Sequence, residues 1–103
     1  MEVVFGVKSS DIEEAYVWVE CATGLVAEAR ENDAWGGNYY AFGAPHGERL
    51  RLINNTDPID GEPVTEFPGW SVVLCVEGAD TSSRALHGLE NDPEHFQKLT
   101  SSH

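Results

Sequence analysis

The chain has 103 residues, 41% of them hydrophobic, with 18 acidic against six basic residues and a formal net charge of −12. That length holds one domain around a single core and leaves no room for separate cofactor and substrate domains, while the apolar content excludes wholesale disorder. A field of this sign repels phosphate backbones and anionic head groups, so nucleic acid and membrane surfaces are excluded as partners and a basic protein surface is favoured.

The N-terminal "MEVVFGVKSS" lacks the basic segment, apolar stretch and cleavage site of an export signal, and no run approaches the ~20 apolar residues of a membrane span. The chain is therefore expected to remain in the cytoplasm. Within that segment "EVVFGV" reads as a short strand. "SSDIEE" then opens a helix over 11–23, with Ser10 as cap and Glu13 closing a capping box. Ile12, Ala15, Tyr16, Val19 and Ala22 recur at helical spacing, Glu13 and Glu20 fall on the other side, and Gly24 supplies a left-handed stop. "LVAEARE" alternates as a half-buried strand does, Ala27 and Ala29 against Glu28 and Arg30, and "ERLRLIN" repeats the pattern with Leu50 and Leu52 against Arg49 and Arg51.

Between these two strands lies "AWGGNYYAF", bounded by turn formers at Asn32, Asp33 and "GAPHG". It reads as the middle strand of an antiparallel meander. Tyr39 and Tyr40 are neighbours and must point to opposite sheet faces, so they cannot both fill one core. One ring is left to be covered by another part of the chain or by a partner, for which Trp35, Tyr39 and Tyr40 are suitable anchors. The chain's own candidate cover is 54–70, with three Pro, two Gly, four carboxylates and no basic residue. Its prolines keep it from becoming an inner strand. "SVVLCV" is then a central strand, Asp80 a cap for a helix through Leu86 and Leu89, and Asp92 with Pro93 the start of a last short helix carrying Phe96 and Leu99. The tail over 100–103 is expected to fray. The elements predict an α+β domain over 1–103, with a mostly antiparallel sheet of four to five strands, the N-terminal helix packed on one face and short C-terminal helices beside it.

No spacing identifies a reaction. Asp57, Asp60, Glu62 and Glu66 suggest calcium, but Gly61 at the sixth position of an EF-hand loop places Pro58 third and Phe67 twelfth, so the template fails. His46, His87, His95 and His103 lack metal-ligand spacing and read as surface residues. Cys21 and Cys75 form no CxxC pair, and each sits in an apolar run that favours a buried, reduced thiol. There is no GxSxG elbow and no phosphate loop, so neither cofactor nor metal is implied.

A helix of the form "DIEEAYVWVECATG", a "WGGNYYAF" hairpin, "RLRLINN", an acidic Pro-rich loop and a "PGWSVVLCV" strand, within an acidic chain of about a hundred residues, resemble the small immunity proteins of bacterial polymorphic toxin and contact-dependent growth inhibition systems. The resemblance implies a non-enzymatic, cytoplasmic inhibitor that binds one cognate toxin domain, often a basic nuclease, and covers its active site. It transfers no individual residues. From charge and reach alone, the carboxylates expected to meet such a partner are Asp57, Asp60, Glu62 and Glu66, then Glu31 and Asp33, with the aromatic anchors beside them and the chain acting as a monomer or weak homodimer. The alternative is a small α+β enzyme or ligand-binding domain with a pocket between residues 34–42 and 54–70, where Tyr39, Tyr40 or His46 would supply polar groups.

Overall fold

Apolar runs separated by turn-rich stretches give six strands and two helices among the described residues. Their order is β1 (Glu2–Val7), α1 (Ile12–Thr23), β2 (Ala27–Asn32), β3 (Gly37–Gly43), β4 (Arg49–Asn54), β5 (Val72–Glu77), α2 (Arg84–Glu90) and β6 (Phe96–Ser102). The computed structural model describes residues 2–32, 37–43, 47–56, 61–79 and 83–102. All six strands join one antiparallel sheet in the order β2-β3-β4-β5-β1-β6. The meander β2-β3-β4 is present, with Tyr40 opposite Ala29 on one side and Leu52 on the other. The near-continuous apolar runs of β1 and β5 occupy inner positions, as strands covered on both faces do.

The class is α+β, with one strand more than the sequence predicts. The addition is β6, read from the sequence as a short helix and a fraying tail. Asp92 O accepts from both His95 N and Phe96 N, closing a turn after Pro93, and the chain then pairs with the otherwise open edge of β1. Phe96 and Leu99 are three apart, which puts them on opposite faces of a strand instead of one side of a helix. Phe96 enters the larger core and Leu99 packs against the smaller one.

Two caps also differ from expectation. Asp11, not Ser10, caps α1: its backbone is extended, and its Oδ1 accepts from Glu13 N at 2.9 Å. Ser83 caps α2 by accepting from Leu86 N, and Asp80 lies outside the described residues. At Gly24 the helix α1 ends in the left-handed conformation at φ 74°, as the sequence indicates.

Both helices share one sheet face. Ala15 and Val19 of α1 and Ala85, Leu86 and Leu89 of α2 close a core with Val3, Phe5, Phe42, Leu50, Leu52 and Leu74. The helices cross closely enough at Gly88 that a Cβ there would collide with the Ala22 carbonyl. The other face holds a smaller core of Val4, Tyr39, Ile53 and Val73, covered by Val64, Phe67 and Trp70 from the connection between β4 and β5. That segment is therefore the chain's own cover for the second face. Asn55 fastens it: its Nδ2 donates to the carbonyls of Phe67 and Trp70, both at 2.8 Å, and its Oδ1 accepts from Thr65 N and Oγ1. The cysteines divide. Cys21 is exposed on α1, contrary to the buried thiol its neighbours suggest, because its helical position turns it away from the sheet. Cys75 is partly buried, and burial, then the charge of Glu2, pushes its thiol up to about 11.

Candidate functional site

Where α1 begins, it lies over the β2-β3 end of the sheet and brings two tyrosines together. Tyr16 and Tyr40 stack at a centroid separation of 4.6 Å. The Tyr40 hydroxyl donates to Glu13 Oε2 at 2.7 Å, linking residues 27 positions apart. The Glu13 carboxylate is thus committed to a tyrosine and not to a capping box. The hydrogen bond to it, with burial and the charges of Glu13 and Asp11, pushes the Tyr40 hydroxyl up from 10.0 to about 12. Tyr40 remains half-buried. Beside it Ile12, Ala29 and Asn38 line a shallow hollow of about 290 Å³. Arg30 borders the hollow from β2 but extends its guanidinium to Glu28, at 3.1 Å.

Exposed carboxylates surround this corner. Asp11, Glu13 and Glu14 come from the first turn of α1, and Glu31 from β2, opposite Asn38 and on the same sheet face as Tyr40. The result is an aromatic floor with an acidic rim, an arrangement suited to anchoring a basic surface. Ser9 steadies the rim by accepting from Asp11 N and donating to Glu14 Oε1 at 2.9 Å.

The sequence-derived contact residues do not form one patch. Glu31 and Tyr40 meet at the corner. Tyr39 turns the other way and is buried in the smaller core at 7% exposure, so it is chiefly a packing residue. Glu62 and Glu66 are exposed on the connection that covers that opposite face. Asp33, Trp35, Asp57 and Asp60 lie outside the described residues. The sequence reading missed Asp11, Glu13, Glu14 and Tyr16. The available signal was a phenol on the helix's sheet-facing stripe within five residues of three carboxylates.

Of the groups offered for the alternative pocket, Tyr39 shares its core with Val64, Phe67 and Trp70 of the 54–70 connection, Tyr40 faces α1 on the opposite side of the sheet, and His46 lies outside the described residues. His95 is half-buried, not a plain surface residue: its ring lies 4.1 Å from that of Trp18, and Nδ1 is 2.9 Å from both Asp92 oxygens. Among the described residues no three His, Cys, Asp or Glu are grouped so as to hold a metal ion, and no helix is long and apolar enough to cross a membrane. Glu48 is buried, and among the described residues its Oε2 has no hydrogen-bond partner. Compared with known proteins, the chain matches no family model and no curated protein.

Proposed function

We propose that this chain is a non-enzymatic neutralising protein that binds a basic, nuclease-type toxin domain in the cytoplasm and covers its active site through the corner formed by α1, β2 and β3. The observation that carries the reading is the half-buried Tyr40 ring, held in place by Tyr16 and Glu13 and rimmed by Asp11, Glu14 and Glu31. A rigid aromatic with an exposed edge loses little conformational freedom on binding, which suits an affinity anchor, while surrounding carboxylates draw in a basic partner and fix its orientation. The net charge of −12 supports the same reading, since it favours encounter with a cationic domain.

The test is association of the purified chain with the toxin domain encoded beside it, at low and high salt. Screening at physiological salt acts beyond about 8 Å, so association should slow as salt rises. Reversing Glu14 and Glu31 to Lys should slow association about tenfold or more, whereas Tyr40→Ala should chiefly speed dissociation. Glu66→Lys, on the opposite side, should change neither. Absence of binding at every salt concentration ends the proposal, and a larger effect from Glu66 than from the corner moves the contact surface to the connection between β4 and β5.

A further inference from the structure

Of the two edges of the sheet, β2 and β6, the first is the regular one. In an antiparallel ladder the N–H and C=O of one residue point to the same neighbour, and the direction alternates along the strand. Asn55 N donates to Ser71 O at 2.8 Å, in step with the β4-β5 register, so Arg51 and Ile53 bond to β5 while Leu50 and Leu52 bond to β3. Carried across the sheet, Tyr40 and Phe42 bond to β4, Tyr39 and Ala41 to β2, and Glu28 and Arg30 to β3. Ala27, Ala29 and Glu31 therefore turn their backbone groups outward. The Ala27 N–H agrees, since it donates to the Glu20 carboxylate at 2.8 Å and not to β3. Among the described residues no other outward group on this edge has a partner. The β6 edge is interrupted by a register shift opposite Val4 and Phe5, an irregularity of the kind that blunts pairing.

The β2 edge has no proline, lysine or bulge to guard it, and its side chains are self-complementary about Ala29. When a second copy pairs antiparallel with Ala29 opposite Ala29, outward residues meet outward residues, as the hydrogen bonds require. Glu28 of each copy then stands opposite Arg30 of the other, at the non-hydrogen-bonded positions where side chains lie closest. Glu28 and Arg30 already pair within the strand at 3.1 Å, so the four charges alternate in sign around one ring. The neighbouring registers lose this match: centring on Glu31 sets two carboxylates against each other, and centring on Ala27 sets Glu28 opposite Val26. Val26, at 79% exposure, lies on the same face as Glu28 and Arg30, and the added strand runs beside it. We infer that β2 is the seam of a symmetric homodimer, two copies joining edge to edge in one continuous sheet with the helices of both on one face. A contact of this extent is at the weak end of protein interfaces. Glu20 competes for the Ala27 N–H and the net charge of −12 opposes encounter, so the dissociation constant should be on the order of 100 µM at about 0.15 M salt. The seam needs no toxin and stands independently of the toxin-binding proposal.

Sedimentation equilibrium of the full chain, from about 10 µM to about 1 mM at about 0.15 M salt, should show a reversible monomer–dimer equilibrium with that constant. Glu28→Arg and Arg30→Glu should each weaken it at least about tenfold, because each turns two attractive pairs into two repulsive ones. For Glu28→Arg this loss runs against the general repulsion, which the substitution lowers. Mixed together, the two variants should associate about as tightly as the wild type, one edge presenting two arginines and the other two glutamates. That recovery also shows that both variants fold. Amide exchange locates the seam: the Ala29 and Glu31 N–H groups should slow as concentration rises, whereas those of Glu28 and Arg30, already bonded to β3, should not change. A single-chain mass at every concentration, a dimer indifferent to either substitution, a mixture no tighter than its components, or concentration-dependent protection centred elsewhere would each overturn it.

Discussion

The indole of Trp70 lies directly on the backbone of Gly6, so that a Cβ at that position would come within 2.6 Å of the ring's Cε2. A glycine within an inner strand normally weakens it, yet here it makes the space in which the β4-β5 connection seats on the sheet. Gly6→Ala should therefore destabilise the fold by about 1–3 kcal/mol, as overpacking does, measured by denaturant unfolding. In a Trp70→Ala background the same substitution should cost far less, because the obstructing ring is gone. Additive losses in the double variant would show that the two residues do not act through this contact.

Asn55 is the second fastening of that connection. Its side chain is buried, and its two donors and two acceptor sites are all used, on Phe67, Trp70 and Thr65. Asn55→Ala should cost about 3 kcal/mol or more, since it strands several buried polar groups at once. Asn55→Asp keeps the shape but turns an acceptor toward the carbonyls of Phe67 and Trp70. Its stability deficit against wild type should be large at neutral pH and shrink in acid, where a protonated carboxyl regains one donor. Faster amide exchange confined to 61–71 would locate the damage.

Legibility in the sequence followed local periodicity. Leu50 and Leu52 alternating with Arg49 and Arg51 define β4 correctly, and the stripe Ala15, Tyr16 and Val19 defines α1, because in both cases the period by itself separates inside from outside. β6 was not legible: "FQKLTSS" has no clean alternation, and its place depends on β1 needing a second partner some ninety residues earlier in the chain. The candidate corner was half legible. Tyr39 and Tyr40 had to part company, but which one faced α1 depends on sheet register, and the Glu13 bond to Tyr40 has no local signal. The face that Arg30, Arg49 and Arg51 share, away from the helices, is the same case. The alternation was visible strand by strand; the convergence of Arg30, Arg49 and Arg51 exists only once β2, β3 and β4 are paired.

Glu48 offers a prediction of unusual sign. It is a carboxylate at 5% exposure with one oxygen unpartnered among the described residues, beside the close approach of Gly47 to Gly78. Such a group costs folding free energy, and an apolar side chain of similar length removes that cost without opening a cavity. Glu48→Met should raise stability by about 1–3 kcal/mol in denaturant unfolding. A destabilised variant would mean that the carboxylate is held by interactions worth more than its desolvation.

Tyr39 and Tyr40, adjacent in β3, should respond differently to truncation because they serve different faces. Tyr39→Ala opens the smaller core and should cost about 3–5 kcal/mol. Tyr40→Ala should cost less, since the ring is half-exposed, and its main effect should be on partner binding. The pH dependence separates them further. The Tyr40 hydroxyl is raised to about 12 by its bond to Glu13, against ~10 for an unfolded chain, so folding favours the neutral phenol. The stability this contributes is complete below about pH 10 and is lost as pH rises through about 12. A tyrosinate absorbance titration should show one step near 12 that disappears in Tyr40→Phe. In Glu13→Ala the hydrogen bond and the charge are both gone, so that step should move down toward 10. A titration unchanged by either substitution would remove the Glu13 bond from the account of the corner, and with it the reason Tyr40 is held ready as an anchor.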